Sequence, residues 1–273
     1  MGKSTIHKID QFLLERYEEK YYQGKPRHKP SSVGSKCLRK IYYGYYQFPE
    51  DNPPDARLLK IFDVGNYFED ILLSYLMGIG EHIPYRNKGN GKIPKQFGDP
   101  TKENRQFPIK SPRWRIKKGF IDNVAIVNGE IWLYEIKSIK NDKYKKLKGQ
   151  PLSDHLIQGS IYVQCFNDLL NAGEYSHVPE LSGREGQKAK GIKYLYFNKD
   201  SQELAEFVIL TKELTQVILD IDNKIMTLNE KYIDPKLLPP KKNDYCPWCS
   251  WKDQCAASAN YVDDILTDLE TKK

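Results

Sequence analysis

Long apolar runs are missing: nothing in the 273 residues approaches the roughly 18 consecutive apolar positions of a membrane-spanning helix, and residues 1–23 lack the apolar stretch of a secretory signal. A cytoplasmic protein without membrane contact is therefore expected. Cysteine is scarce, with five residues in all. In a reducing compartment such thiols are expected to hold a metal or a cluster sooner than to form disulfides. A strong excess of one charge is missing too: 43 Lys and Arg stand against 36 Asp and Glu, a formal net charge of +7. That balance suits a polyanionic partner without requiring one. The length allows a full core, and a single elaborated domain over 1–273 is expected.

The positive charge is unevenly spread. Residues 86–118 hold eleven Lys and Arg against two acidic residues, Asp99 and Glu103, and the same stretch carries Phe97, Phe107 and Trp114. Cations interleaved with aromatics suit a phosphate backbone and its bases. Arg113, Arg115, Lys117 and Lys118 are the expected nucleic-acid contacts, because they lead straight into the next feature.

That feature is a hairpin. Two β-type runs, 120–127 and 130–137, flank Asn128-Gly129, a strong two-residue turn signal. If Val127 faces Glu130, pairing proceeds outward until Asp122 lies opposite Glu135, with Cβ atoms roughly 4.5 to 5.5 Å apart. Alternation puts Val124 and Asp122 on one face with Leu133, Glu135 and Lys137. Trp132, Tyr134 and Ile136 make the other face apolar as well, as in a strand covered on both sides. Two facing carboxylates repel and lose hydration unless something neutralises them. A divalent cation between them would do so, with Lys137 as a cationic neighbour.

Helical spacing of apolar residues predicts helices over 5–22, 57–77 and 154–170, and a fourth over 212–228 capped by Thr211. The 57–77 helix is apolar around much of its circumference and is expected to be central. On the 154–170 helix Gln158 and Tyr162 are i and i+4, one above the other, and Cys165 is expected in the core. Strands are expected at 192–197 and 204–210. After the hairpin, 139–149 is a lysine-rich loop expected to touch substrate or to serve as a crossover. Cys37 is expected in the first turn of a short basic helix. An extended proline-bearing connection, 231–245, leads to Cys246, Cys249 and Cys255, spaced C-x2-C-x5-C. A four-thiolate site needs one more ligand, for which Cys37 is the candidate. Zinc and an iron-sulfur cluster would both accept such a set.

Gly119-Phe120-Ile121-Asp122 followed by Glu135-Ile136-Lys137 resembles the PD-(D/E)XK nuclease superfamily, in its RecB-type branch. The resemblance extends in order from 31 to 255. Gly65-x-x-x-Glu69 stands where iron-sulfur members carry Gly-x-x-x-His, with Glu in place of the metal-binding His. Gln158-x-x-x-Tyr162 matches the branch's Q-x-x-x-Y motif, whose Gln supports the site and whose Tyr approaches DNA. Cys37 with Cys246, Cys249 and Cys255 is similar to the cluster staple of CRISPR-associated exonucleases, the AddB nuclease domain and phage relatives.

The resemblance implies an α/β, restriction-endonuclease-like core, a central mixed sheet flanked by helices over 57–230. It also implies an appendage of 31–46 and 231–258 stapled by a 4Fe-4S cluster, with zinc the alternative occupant. It implies a metal-dependent DNA exonuclease in which Glu69, Asp122, Glu135 and the main-chain carbonyl of Ile136 hold Mg²⁺ or Mn²⁺. Lys137 would orient or deprotonate the attacking water. The expected partner is DNA, single-stranded or with free ends, in a phage or bacterial recombination, repair or replication setting. The alternatives are a nucleic-acid-binding module that cuts nothing and an endonuclease of the same superfamily.

Overall fold

The computed structural model describes residues 4–21, 28–93, 95–96, 99–103, 105–229 and 246–255. The expected connection at 231–245 and Phe97 lie outside them. In chain order the elements are helices α1 (Thr5–Tyr21), α2 (Pro30–Val33), α3 (Leu38–Tyr46) and α4 (Ala56–Gly78), then strands β1 (Lys95–Gln96), β2 (Asp99–Glu103), β3 (Phe107–Ser111), β4 (Ile116–Ile121), β5 (Asn123–Val127) and β6 (Glu130–Ile139). Helices α5 (Asn141–Tyr144) and α6 (Ser153–Asn171), strands β7 (Gly191–Asn198) and β8 (Leu204–Leu210), and helix α7 (Thr215–Asn229) complete the order. No helix among the described residues is long and apolar enough to cross a membrane. Two compact units form: Met1–His28, Ser35–Val64 and Lys224–Lys273 make one, and Lys29–Gly34 with Gly65–Asn223 make the other. Two of their four boundaries fall inside α4 and α7.

In the second unit a four-stranded mixed sheet runs in the order β5-β6-β7-β8. The hairpin holds the expected register, from Val127 opposite Glu130 to Asn123 opposite Tyr134. Its turn needs two residues in left-handed backbone, and Asn128 and Gly129 supply them with φ of 54° and 82°. β6 then pairs in parallel with β7, which puts α5 and α6 in the crossover between them. β8 closes the sheet antiparallel to β7.

Helices cover both faces. On one, Leu72 and Leu76 of α4 pack on Ala125, Tyr134, Ile136 and Phe197. On the other lies α6, where a Cβ on Gly159 would come within 2.2 Å of the Tyr194 hydroxyl, so only glycine lets the helix approach this closely. The sheet is thus a mixed α/β core with apolar residues on both sides of β6.

Three expectations are corrected. α4 is not buried all round: within the second unit Leu72, Leu73 and Leu76 are buried, while Tyr67 and Tyr75 are exposed, because the sheet covers one side of the helix only. The last helix starts as a 3-10 turn, Thr211–Leu214. The Thr211 hydroxyl donates to the Ala189 carbonyl at 2.6 Å instead of capping that helix. Finally, the run 120–127 is broken at Asp122, with β4 pairing with β3 in a separate two-stranded sheet.

Candidate functional site

The break at Asp122 is what frees its side chain. The ladder stops at Asn123, one step short of a pairing between Asp122 and Glu135. Asp122 instead turns its carboxylate across to β6, where Oδ2 accepts the Ile136 N–H at 2.7 Å. Ile136 thus joins the site through its main chain, while its side chain packs beneath α4. Glu135 and Lys137, two residues apart on β6, point to the α6 face and form an ion pair. From α4 Glu69 arrives at the same place, and Gln106, just before β3, ties it in: Nε2 donates to Glu69 Oε1 at 2.5 Å and reaches Asp122 Oδ1 at 3.4 Å. The sequence offered no signal for Gln106, which belongs to no periodic pattern.

Charge and burial are in conflict here. Glu135 is fully buried, and neither of its oxygens receives a well-aligned hydrogen bond from the described residues. Burial pushes its pKa up to about 8, the Asp122 charge adding to the rise and Lys137 opposing it. Burial raises Asp122 as well, against Lys137 and the Ile136 N–H. Glu69 is driven well above the usual carboxylate range by burial, then by Asp122 and Glu135. For Lys137 burial pulls downward, but Glu135, Asp122 and Glu69 outweigh it and hold the ammonium form. Three carboxyls share one ammonium. A hard divalent cation fits this oxygen-rich set. Among the described residues no three His, Cys, Asp or Glu side chains are already drawn together as a ligand set; Gln106, Ile136 N–H and Lys137 hold the carboxylates meanwhile.

Helix α6 walls the site. Gln158 Nε2 donates to the Tyr162 hydroxyl at 2.8 Å, and both side chains are buried. Burial, then the charges of Glu135 and Asp122, push the Tyr162 phenol well up. The Q-x-x-x-Y pair therefore lies within electrostatic reach of the carboxylates.

The aromatics of the basic stretch do something other than stack bases. Phe107 and Trp114 are buried, and the Trp114 indole N–H donates to Asp222 at 2.6 Å. Arg113 pairs with the same Asp222. Arg115, Lys117 and Lys118 are exposed on the β3–β4 ribbon, with Lys118 over the Phe120 ring. Hydrophobic burial took the rings because β3 and β4 pair and need a core side.

In the first unit the cysteine-bearing segments meet. Cys37 is the N-cap of α3, one residue before its first turn. Segment 246–255 docks on α3 and the residues after it. Trp251 is buried with Ile41, Tyr42, Tyr43 and Leu228, and Cys249 and Cys255 pack against that cluster. The Trp251 indole donates to the Phe48 carbonyl at 3.0 Å. The Asp51 carboxylate accepts from Asp253 N and Gln254 N. Buried Arg39 donates to the Cys255 carbonyl at 3.1 Å and lies 3.6 Å from its sulfur. Burial raises the Cys249 thiol, and Cys37 and Cys255 are close enough to add to the rise. Cys246 is exposed. Cys165 is buried in the second unit.

No family model matches the chain, and no curated protein matches it. Among solved structures it is similar to SSO0001, at 16% identity over 92% of this chain and 95% of that one, with a TM-score of 0.47. It is similar also to LHK-Exo, solved in complex with dAMP, at 11% identity over 74% of this chain and 85% of that one, with a TM-score of 0.45. Neither likeness assigns a family, and the site is read on its own geometry.

Proposed function

We propose that the protein is a metal-dependent deoxyribonuclease acting from DNA ends, of the PD-(D/E)XK type its motifs resemble. The observation that supports this reading is the charge balance: Glu69, Asp122 and Glu135 are desolvated and within electrostatic reach of one another, with Lys137 as the cation acting on all three. Ionised, that set carries two uncompensated negative charges in a low-dielectric place, which is unfavourable until a divalent cation joins it. Glu69, Asp122, Glu135 and the Ile136 carbonyl would hold Mg²⁺ or Mn²⁺. When bound, the ion supplies an activated water at neutral pH and stabilises charge on the scissile phosphate.

The chain's own residues do the rest. Lys137, fixed by Glu135, donates to the attacking water or to a phosphate oxygen and offsets the charge that builds there. Gln106 keeps the Glu69 and Asp122 carboxylates side by side. Gln158 orients the Tyr162 hydroxyl beside the carboxylates, and α6 excludes bulk water from Glu135.

Cys37, Cys246, Cys249 and Cys255 would hold a 4Fe-4S cluster in a structural role, zinc being the other occupant the same sulfurs accept. Cys249 and Cys255 pack against the Trp251 cluster and Cys37 is the N-cap of α3, which supports a site joined from these two segments. Iron and sulfide analysis of anaerobically purified protein tests this, and stoichiometric zinc without iron would overturn it.

For the activity, labelled linear single- and double-stranded DNA is incubated with Mg²⁺ or Mn²⁺, beside covalently closed circles. Mononucleotide release from linear DNA and intact circles are expected. Cut circles would make the enzyme an endonuclease. Intact DNA in every lane would leave a binding module.

A further inference from the structure

On α6, His155 sits at i and Gln158 and Tyr162 at i+3 and i+7, a single stripe along one helix face. Gln158 and Tyr162 belong to the carboxylate site; His155, one turn nearer the helix start, has hydrogen bonds of its own. Its partner is Tyr196 on β7, which lies beside Lys137 in the parallel register. The Tyr196 oxygen accepts the Leu152 N–H at 3.0 Å and lies 2.8 Å from His155 Nδ1. The two rings are stacked at 5.6 Å.

This geometry selects one tautomer. Tyr196 is fully buried, and accepting from both neighbours would strand its own proton among the described residues. The arrangement that satisfies every group has Leu152 N–H donating to the phenol oxygen and the phenol O–H donating to Nδ1. Nδ1 is then the acceptor, and Nε2 carries the hydrogen. Burial pushes the imidazole down to about 4, with Asp154 pulling upward and Lys137 and Lys143 pushing down. At neutral pH the ring is therefore an uncharged N–H donor, locked in orientation, under the positive charge of Lys137 and Lys143.

Lys143 is itself held in place by a fixed backbone. The Asn141 N–H, at the start of α5, donates to Asp200 at 2.8 Å, and Asn198 Nδ2 donates to the Asn141 side-chain oxygen at 3.1 Å. Lys137 and His155 thus bring together donors of the kind that bind phosphates without reading bases, with the charge of Lys143 acting on the same imidazole.

We infer that His155 is a substrate-binding residue whose Nε2–H holds the phosphodiester next to the scissile one, leading the DNA backbone out of the site past α6 and α5. The inference rests on the nuclease reading. It also moves the expected DNA path from the 86–118 stretch to the crossover between β6 and β7.

The test uses the full-length protein with Mn²⁺ and a labelled oligonucleotide, either all-phosphate or with one uncharged methylphosphonate at the neighbouring linkage. His155→Ala is expected to raise KM about ten-fold on the all-phosphate substrate with kcat within about two-fold. His155→Gln, which keeps an N–H donor, is expected to recover most of that loss. The methylphosphonate should raise KM for wild type and leave it unchanged for His155→Ala.

Equal KM for wild type and His155→Ala, or a methylphosphonate penalty that persists in His155→Ala, overturns the inference. If His155→Ala does not fold, His155→Gln and the wild-type response to the methylphosphonate decide: no wild-type penalty overturns it. Wild type that cuts nothing in either metal defeats the nuclease reading instead.

Discussion

The carboxylate site and the cysteine set are both candidate metal centres, and they are built in opposite ways. The carboxylates hang on a sheet. A two-residue turn sets the register of β5 and β6, the break at Asp122 aims one acid at the Ile136 N–H, and helices on both faces bury Glu135. The three carboxyls come within electrostatic reach of one another, at the cost of uncompensated charge, without being drawn into a ligand set among the described residues. The cysteines come from Cys37 and from 246–255, two segments joined through Trp251, Asp51 and Arg39. There the protein contacts bring chain segments together and not a finished ligand set. A sheet frame suits an ion that must activate water in one geometry, whereas a site joined from separate segments suits a structural staple whose ligation energy would add to folding.

The sharpest way to break this contrast is to remove a carboxylate from the sheet frame. Glu135→Ala should lower DNA hydrolysis on the order of 10³-fold or more, about 4 kcal/mol in barrier, with unchanged thermal stability in metal-free buffer. A turnover assay beside calorimetry checks both halves. Trp251→Ala attacks the other region. It should cost about 3 kcal/mol of stability in the first unit and release segment 246–255, seen as lost hydrogen-exchange protection there with β6 and β7 unaffected.

A third prediction uses pH. Because folding lowers the His155 pKa from 6.5 to about 4, the unfolded chain takes up this proton first. The stabilisation is complete above about pH 6.5 and is lost as pH falls toward 4, by about 3 kcal/mol. His155→Gln should remove that slope in urea melts collected across the range. The smallest effect concerns the turn: Gly129→Ala, at φ 82°, should cost about 1 kcal/mol in chemical denaturation.

What the sequence revealed was local. The Asn128-Gly129 turn determines the pairing of its own strands, so the register and the face shared by Glu135 and Lys137 could be read directly. Gln158 and Tyr162 share a helix face by spacing alone. The rest depends on which elements meet. Gln106 became a bridge because β3 starts beside the carboxylates, and His155 gained its orientation from Tyr196, one parallel strand away. Phe107 and Trp114 looked like base-stacking residues until the pairing of β3 with β4 gave them a core side. α4 read as central from its apolar residues, since composition counts such residues without saying which of them find partners.

The central claim is that Glu69, Asp122 and Glu135 form a divalent-cation site, and Mn²⁺ titration followed by electron paramagnetic resonance tests it most directly. Saturable Mn²⁺ binding to wild type is expected, displaced by Mg²⁺ and weakened about ten-fold or more in Asp122→Asn and in Glu135→Gln. Binding unchanged in both variants, or no Mn²⁺ binding to folded wild type at millimolar concentration, would contradict it.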